Sequence, residues 1–442
     1  MSQAYRTAPE QTTGMPSGVP FIIGNEAAER FSFYGFRTIL VVFMTQYLVT
    51  RSGQLDTMND TEAREWFHWF VSAVYFFPIL GGILADSLLG KYRTILWFSI
   101  LYCFGHLALA VDSTRLGLLV GLSLIAVGAG AIKACVAAHV GDQFSSSNQA
   151  LLPRAFGWFY FSINFGSAFG SFLTPWLLKH HGPHWAFGVP GIAMLIATIV
   201  FWMGRNRFAH IPPAGKQFVR DSFSLSGLKS IGRLVSIFAL LTAFWSLYDQ
   251  SSSAWIQQAR HMDRNWLGFE WQPAQIHTVN PILILMFIPL FSYVIYPAID
   301  KIYPLTPLRK IGIGFVLTII SFLIPAYAEK LIVEGQTPHM IWQIWAYVFL
   351  TAGEVMVSIT SLEFAYTQAP KGAKSLLMAL NYAAISLGNV FTAVVNSLMG
   401  AFKVMESGPG YYLFFAGVMT AATIIYIFVA MRFKTEAHLQ SP

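Results

Sequence analysis

A set of ionisable side chains stands inside stretches that are otherwise strongly apolar. The first stretch carries Glu26, Glu29, Arg30 and Arg37, the second His68, and the fourth Lys133, His139 and Asp142. The seventh carries Asp249 and the tenth Glu354 and Glu363. A charge at membrane depth is costly and by default faces a partner or a water-filled cavity, so each is a candidate functional group. At about 100° per residue, Glu26, Glu29/Arg30, Phe33 and Arg37 fall on one helical stripe. A seam that only locked this helix into a bundle would rarely need so many charges at that depth.

A rise of about 1.5 Å per residue sorts these groups by depth. If the first stretch climbs from the cytoplasm, Glu26–Arg30 lie in its inner half and Arg37 in its outer half. The fourth descends and brings Lys133 to the level of Glu26–Arg30. His68 in the second and Asp249 in the seventh reach the level of Arg37. Two clusters are expected: an inner one of Glu26, Glu29, Arg30 and Lys133, and an outer one of Arg37, His68 and Asp249. Glu354 falls near mid-depth, opposite the inner cluster. Cations on one side (Arg30, Lys133) and an anion on the other suit a ligand with a carboxylate at one end and an ammonium at the other, such as a short peptide. The outer cluster has the titratable groups a proton-coupled gate needs, and histidine has an ordinary pKa of about 6.5.

The elements that position these groups follow from composition. Of 442 residues, 55% are hydrophobic and 11% charged, against roughly 25% charged in soluble domains. Mean hydropathy is +0.54. So few charges cannot coat that much soluble surface, and the lipid bilayer is the expected solvent. A crossing helix needs ~20 mostly apolar residues. Twelve candidates are read, at 19–50, 63–88, 92–111, 115–142, 153–178, 185–204, 231–259, 273–300, 307–328, 339–366, 373–401 and 409–432. The expectation is an all-α membrane protein with two six-helix bundles. Residues 1–18 read as a flexible cytoplasmic tail, 19–205 as the first bundle, 206–230 as a linker, 231–433 as the second bundle and 434–442 as a tail. The linker is basic and contains Pro212-Pro213.

Even-to-odd linkers carry Lys91, Arg93, Arg205, Arg207, Lys301, Arg309 and Lys310, among others. Odd-to-even linkers mix fewer basic residues with acids such as Asp56, Asp60, Glu62 and Glu65. The positive-inside rule then puts both termini in the cytoplasm. That placement accounts for the net charge of +7, which does not argue for nucleic acid. No cleavable signal peptide is read at the start. Cys103 and Cys135 give neither a disulfide framework nor a metal spacing. His180, His181 and His184 are read as a solvated outer loop rather than a metal site, His106 as a satisfied bundle histidine, and His139 as a helix-end residue. Gly166-x-x-x-Gly170 is read as a close-packing motif. No nucleophile–histidine pair and no H-E-x-x-H is found, so an enzyme is not expected.

These residues also sit in recognisable patterns. Glu26 to Gly35 reads E-A-A-E-R-F-S-F-Y-G, Phe159 to Gly166 reads F-Y-F-S-I-N-F-G, and the fourth stretch ends I-K-A-C-V-A-A-H-V-G-D-Q-F around Lys133. The turn after the second stretch reads G-G-I-L-A-D-S-L-L-G-K-Y-R. The chain resembles the proton-coupled oligopeptide transporters of the major facilitator superfamily, in matches from residue 26 to about 390. F-H-W-F at His68, F-W-S-L-Y-D-Q at Asp249, Q-P-A-Q-I-H-T-V-N at Asn280 and the segment Gly353 to Pro370 look closest to animal members.

The resemblance implies a symporter that imports di- and tripeptides, and peptide-like drugs, with protons as the coupling ion and no other cofactor. It implies alternating access in a cell membrane (the inner membrane if the source is bacterial), in a chain functional as a monomer. Arg37 and Lys133 would hold the peptide carboxylate. Glu354, with Asn164 and Asn280, would hold the amino terminus. Tyr34, Tyr75 and Trp245 would line side-chain pockets. Protonation of His68 or Asp249 would reset the outer gate. Proton loss from Glu26 and Glu29 would restore their pairing with Arg30 and Lys133 and favour release. Three positions depart from the family pattern: Phe33 for Tyr, Ala134 for Pro and Asn381 for Trp. The length leaves no room for the extra hairpin of many bacterial members or for a large outer domain. A relative carrying a nucleoside, a drug or nitrate, and a nontransporting peptide sensor, are the alternatives.

Overall fold

A computed structural model describes residues 5–213, 215, 225–361, 364, 374–404 and 408–433. The chain divides into two compact units, Met1–Thr57 with Ala73–Arg220, and Met58–Ser72 with Asp221–Pro442. One helix is therefore shared between them. Among the described residues, nine helices are long and apolar enough to cross a membrane. The first helix is not among them, because Glu26, Glu29, Arg30 and Arg37 interrupt its apolar run.

Unit 1 contains α1 (Val19–Gln46), the second half of α2 (Asp60–Leu84), α3 (Lys91–Val111), α4 (Arg115–Gly141) and α5 (Leu152–Met203). α2 widens into a π-turn at Ala85–Leu89 before Gly90. α5 is two expected spans joined without a loop. The bend is a single residue, Gly182, at φ 79° and ψ −178°, followed by Pro183. Glycine has no Cβ to clash at positive φ, and proline needs no partner for an N–H it lacks. His180, His181 and His184 therefore ride on helix ends rather than in the loop expected for them. Nδ1 of His180 sits 2.9 Å from the Trp176 carbonyl, and no metal-binding group occurs among the described residues.

The segment before α1 also departs from expectation, because residues 5–18 are tied down. Tyr5 stacks on His210 at 4.2 Å, and the His210 N–H donates to the Arg6 carbonyl at 2.7 Å. Ser147 Oγ donates to the Thr12 carbonyl at 3.0 Å and Asn148 Nδ2 to that of Gly14 at 3.3 Å. Backbone carbonyls of Arg6, Thr12 and Gly14 thus find donors in the rest of the unit. The start of the linker is likewise packed: Phe208 and Ala209 are buried, and the Ala209 N–H donates to Gln143 Oε1 at 2.8 Å. Residues 216–224 of that linker lie outside the described residues.

The Glu10 carboxylate accepts from Ser17 Oγ at 2.8 Å and from the Ser17 N–H at 3.3 Å. Those bonds hold its carboxyl below the usual carboxylate range. A depressed folded-state value contributes stability above the unfolded value and loses it as pH falls through the folded one. The amide-exchange protection factors of residues 5–17, corrected for the intrinsic pH dependence of exchange, should therefore begin to fall below about pH 4.5 in the intact protein, and should be lower but free of that acid step in Glu10→Gln.

α1 and α5 are held together through small residues. A Cβ added to Gly166 would overlap the Ala27 carbonyl, and one added to Gly170 that of Phe31. Thr174 Oγ1, one turn on, donates to the Gly35 carbonyl at 2.6 Å, and Thr38 Oγ1 to Ser171 Oγ at 3.1 Å. α4 approaches α2 in the same way, Gly130 against Val74 and Gly81 against Ala131. Overpacking such a seam costs about 1–3 kcal/mol or more. Gly170→Leu should remove most monodisperse protein on size exclusion. Gly157→Ala, where a Cβ meets nothing within 4 Å, should leave the elution profile intact.

Unit 2 contains the first part of α2, then α6 (Leu225–Tyr248), α7 (Ala254–Ala259), α8 (Val279–Leu290), α9 (Tyr296–Asp300), α10 (Pro307–Val333), α11 (Ile341–Glu354), α12 (Lys374–Phe402) and α13 (Pro409–Arg432). A two-stranded antiparallel hairpin pairs Asn265–Trp266 with Phe269–Glu270. The seventh expected span is broken: α6 ends at Tyr248, a tight turn covers Asp249–Ser252, and Ser253 takes φ −134° and ψ −87° before α7 resumes. Asp-Gln-Ser-Ser-Ser supplies short polar side chains that compete with the helical backbone for hydrogen bonds. The tenth expected span changes to a π-turn, Val355–Ile359, immediately after Glu354, and the eighth does so at Phe291–Ile295.

Candidate functional site

In unit 1, Glu26 and Glu29 are fully buried on α1, and Arg30 beside them is nearly so. Arg30 Nε donates to Glu26 Oε1 at 2.6 Å and lies 3.1 Å from Glu29 Oε2. One guanidinium therefore hydrogen-bonds Glu26 and stands in ion-pair range of Glu29, and among the described residues Glu26 Oε2 and both Glu29 oxygens have no hydrogen bond. A buried carboxylate oxygen in that condition is a place for a proton or for water.

Lys133 comes from α4 to the same stripe but makes no ion pair within 4.0 Å among the described residues. Its Nζ lies 3.9 Å from the centre of the Phe33 ring and 5.8 Å from that of Tyr75. The expected pairing of Lys133 with Glu26 and Glu29 is thus absent from this conformation. The ammonium instead lies over the Phe33 ring, whose face attracts a cation. Tyr34 packs its ring edge-on to Phe33 at 5.4 Å. Arg37, two turns above Arg30, is buried. Asn164 Nδ2 donates back to the Tyr160 carbonyl at 3.0 Å.

Behind α1, Ser32 Oγ lies 2.7 Å from His106 Nε2, and His106 stacks on Tyr102 at 5.0 Å. His106 Nδ1 has no hydrogen-bond partner among the described residues, so the expected satisfaction of this residue is half met. His139 stands in the last turn of α4, as expected, and is buried against Phe208, with Nε2 unpaired among the described residues.

In unit 2, Glu354 terminates α11 as a two-sided acceptor. Tyr248 donates to Oε1 at 2.9 Å and Asn280 Nδ2 to Oε2 at 2.8 Å. Asn280 Nδ2 also lies 3.0 Å from Thr351 Oγ1. Trp245, one turn before Tyr248 and edge-on to it at 5.4 Å, has an indole N–H with no acceptor among the described residues. Asn381 likewise keeps a buried, unpaired Oδ1. Glu363 lies outside the described residues.

His68 and Asp249 are joined through a residue that sequence reasoning misses. Asn389 Nδ2 donates to Asp249 Oδ2 at 2.7 Å and to the Ile385 carbonyl at 3.0 Å. Two acceptors on one side fix the amide orientation, so Asn389 Oδ1 faces His68 Nδ1 at 2.7 Å. His68 must then carry its proton on Nδ1, and Nε2, 3.0 Å from Ser253 Oγ, is the nitrogen that gains or loses one. α2 presents Asp60, Arg64, His68 and Ser72 at steps of four. Asp60 pairs with Arg260, Arg64 reaches Asn396 and Gln257 at 2.8 and 2.9 Å, and Ser72 meets Ser386 at 3.0 Å. These bonds explain why this half of α2 clusters with unit 2. The signals for them are the step-of-four stripe on α2, and Ser386, Asn389 and Asn396 among the polar residues of α12. Tyr248 stands next to Asp249 in the motif, and only the fold gives it a role.

The sequence pattern of the family described as PTR2, POT family, matches residues 92–227 and 224–413. The chain belongs to the POT family. Peptide transporter family 1 of Drosophila melanogaster is 38% identical over 361 residues, 71% of this chain and 48% of that protein. Solute carrier family 15 member 2 of Homo sapiens is 36% identical over 365 residues, covering 71% of this chain and 49% of that one. The chain spans about half the length of these curated relatives. An auto-inhibited POT family peptide transporter of known structure is 34% identical, with TM-score 0.88 over 97% of this chain and 99% of that one. The POT family transporter PepTSo is 35% identical, with TM-score 0.84 over 95% and 99%. The fold is that of these POT family structures, a major facilitator fold, in a multi-pass membrane protein whose relatives are transporters.

Proposed function

We propose that this POT family chain is a proton-coupled symporter that imports di- and tripeptides, with both termini cytoplasmic, twelve crossings in two six-helix halves, and a monomer as the working unit. The observation that carries the reading is the Glu354 carboxylate, fixed by Tyr248 and Asn280 at 2.9 and 2.8 Å in one unit, together with a buried lysine, Lys133, that no acid among the described residues neutralises within 4.0 Å in the other. A held carboxylate suits a peptide's ammonium, and an un-neutralised ammonium suits a carboxylate. Arg37 would share the carboxylate, Asn164 would add a polar contact, and Tyr34, Tyr75 and Trp245 would line side-chain pockets. Peptide ends and amides are common to all sequences, so such recognition tolerates many side chains.

Two proton sites follow in the proposal. Among the described residues, Glu26 and Glu29 each keep an oxygen without a hydrogen bond although Arg30 stands beside both. The His68–Asn389–Asp249 chain is the second. Neither needs a cofactor besides the proton. Coupling requires that proton and peptide favour different states of the transporter by differential affinity.

A competition panel in proteoliposomes tests the substrate class. Di- and tripeptides should displace a labelled dipeptide, whereas free amino acids, nucleosides and nitrate should not. Displacement by nucleosides at the same concentration would move the chain to another substrate. Tyr248→Phe removes one charge-assisted bond, of the kind that contributes roughly 1.5–3 kcal/mol. It should weaken peptide affinity by about tenfold or more with little change in thermal stability, read by peptide titration and a melting curve.

A further inference from the structure

Away from Glu354, Asn280 and Tyr248, unit 2 holds a cleft of about 550 Å³ that none of those three lines. One wall is Ile288, Ser292 and Tyr296, from α8, its π-turn and α9. The floor is Val355 and Ile359, from the π-turn that follows α11, and Lys310 at the start of α10 closes one side. Both π-turns thus border one cavity, and such turns often mark functional positions.

The cleft combines apolar walls with opposite charges at one end. Lys310 Nζ lies 4.3 Å from the centre of the Tyr296 ring and has no ion pair within 4.0 Å among the described residues. Asp300 also lines the cleft, and its Oδ1 accepts from the Leu305 N–H at 2.7 Å. Lys301 in the short linker and Arg309 in the first turn of α10 add positive charge nearby. Large apolar side chains beside it are bare: Tyr293 is 82% exposed and Ile302 is 90% exposed. In a membrane protein such surface meets lipid, and basic residues at the ends of spans recruit phosphate headgroups.

We propose that this cleft is a binding site for a phospholipid with a primary ammonium in its headgroup, such as phosphatidylethanolamine. Lys310 takes the phosphate, Asp300 takes the ammonium, and an acyl chain follows Ile288 and Ile359. The site is separate from the peptide site, and its existence rests on the membrane placement and not on peptide transport. A lipid wedged here lies against the turn that follows Glu354, so occupancy can bias the position of that carboxylate.

The test is native mass spectrometry of the delipidated full chain, titrated with phosphatidylethanolamine, phosphatidylglycerol or free phosphoethanolamine. The wild type is expected to retain one phosphatidylethanolamine at energies that strip phosphatidylglycerol. Lys310→Ala should cut that retention at least fivefold. Asp300→Asn should erase the preference while keeping the lipid. Peptide titration of both variants shows that the transport site is folded. Equal retention of the two lipids by the wild type, retention unchanged in Lys310→Ala, or saturation by free phosphoethanolamine without lipid would each overturn the proposal.

Discussion

His68→Gln is expected to cut proton-driven peptide accumulation by about a hundredfold or more, while leaving peptide-for-peptide exchange measurable. The argument is geometric. Asn389 is oriented by Asp249 and the Ile385 carbonyl, so it can only accept from His68 Nδ1. That leaves Nε2 as the single site at which this histidine changes charge, facing Ser253 Oγ at 3.0 Å. When Nε2 is bare, the Ser253 hydroxyl donates to it; when Nε2 is protonated, Ser253 must accept. Glutamine preserves a hydrogen-bonding shape but carries no titratable proton. Asn389→Leu breaks the same chain from the other side, removing its bonds to His68 Nδ1 and to Asp249 Oδ2. Its accumulation should fall about as far as that of His68→Gln, and the double variant should be no worse than either single one, since members of one network are not additive. Full accumulation by Asn389→Leu would show that the link to Asp249 does not matter for coupling. Uptake at several external pH values, with counterflow alongside, gives both readouts.

Glu354→Gln and Lys133→Ala should each weaken peptide binding by about a hundredfold. A charged hydrogen bond of roughly 1.5–3 kcal/mol corresponds to one to two decades of affinity. At Glu354 the amide also inverts one contact. Tyr248 and Asn280 both donate, so in Glu354→Gln one of them would face the introduced NH₂ group in place of an oxygen. At Lys133 the loss includes the ammonium held over Phe33. Restoring a hydroxyl with Phe33→Tyr gives that ammonium an acceptor nearby, and should alter peptide affinity without removing transport. The two charge variants are expected to differ by ligand. Glu354→Gln should discriminate poorly against peptides with a blocked amino terminus, and Lys133→Ala against peptides with an amidated carboxyl end. Isothermal titration with those blocked peptides checks the assignment, and a reversed pattern would exchange the two roles.

The sequence carries the charges more clearly than their connections. Glu26, Glu29 and Arg30 are legible because helical spacing puts them on one stripe, and the buried bridge at 2.6 and 3.1 Å follows that spacing. The seam that fixes α1 is legible from Gly166 and Gly170, since small residues four apart allow backbones to touch. The link from Asn389 to Asp249 and the role of Tyr248 are not, because a polar residue on an apolar helix shows no partner until another helix supplies it. The break after Tyr248 and the π-turn after Glu354 escape for a related reason. Hydropathy sees a continuous apolar run, while local hydrogen bonding decides where the ladder gives way. The docking of residues 5–18 is hidden because the groups that accept from Ser147, Asn148 and His210 are main-chain carbonyls, which every residue has.

The most direct measurement is uptake of a labelled dipeptide into proteoliposomes containing the purified chain, with and without an inward proton gradient. The account predicts accumulation above equilibrium that collapses when a protonophore is added and is absent from empty liposomes. Saturable uptake of equal rate and extent with the gradient imposed, abolished or reversed would contradict it.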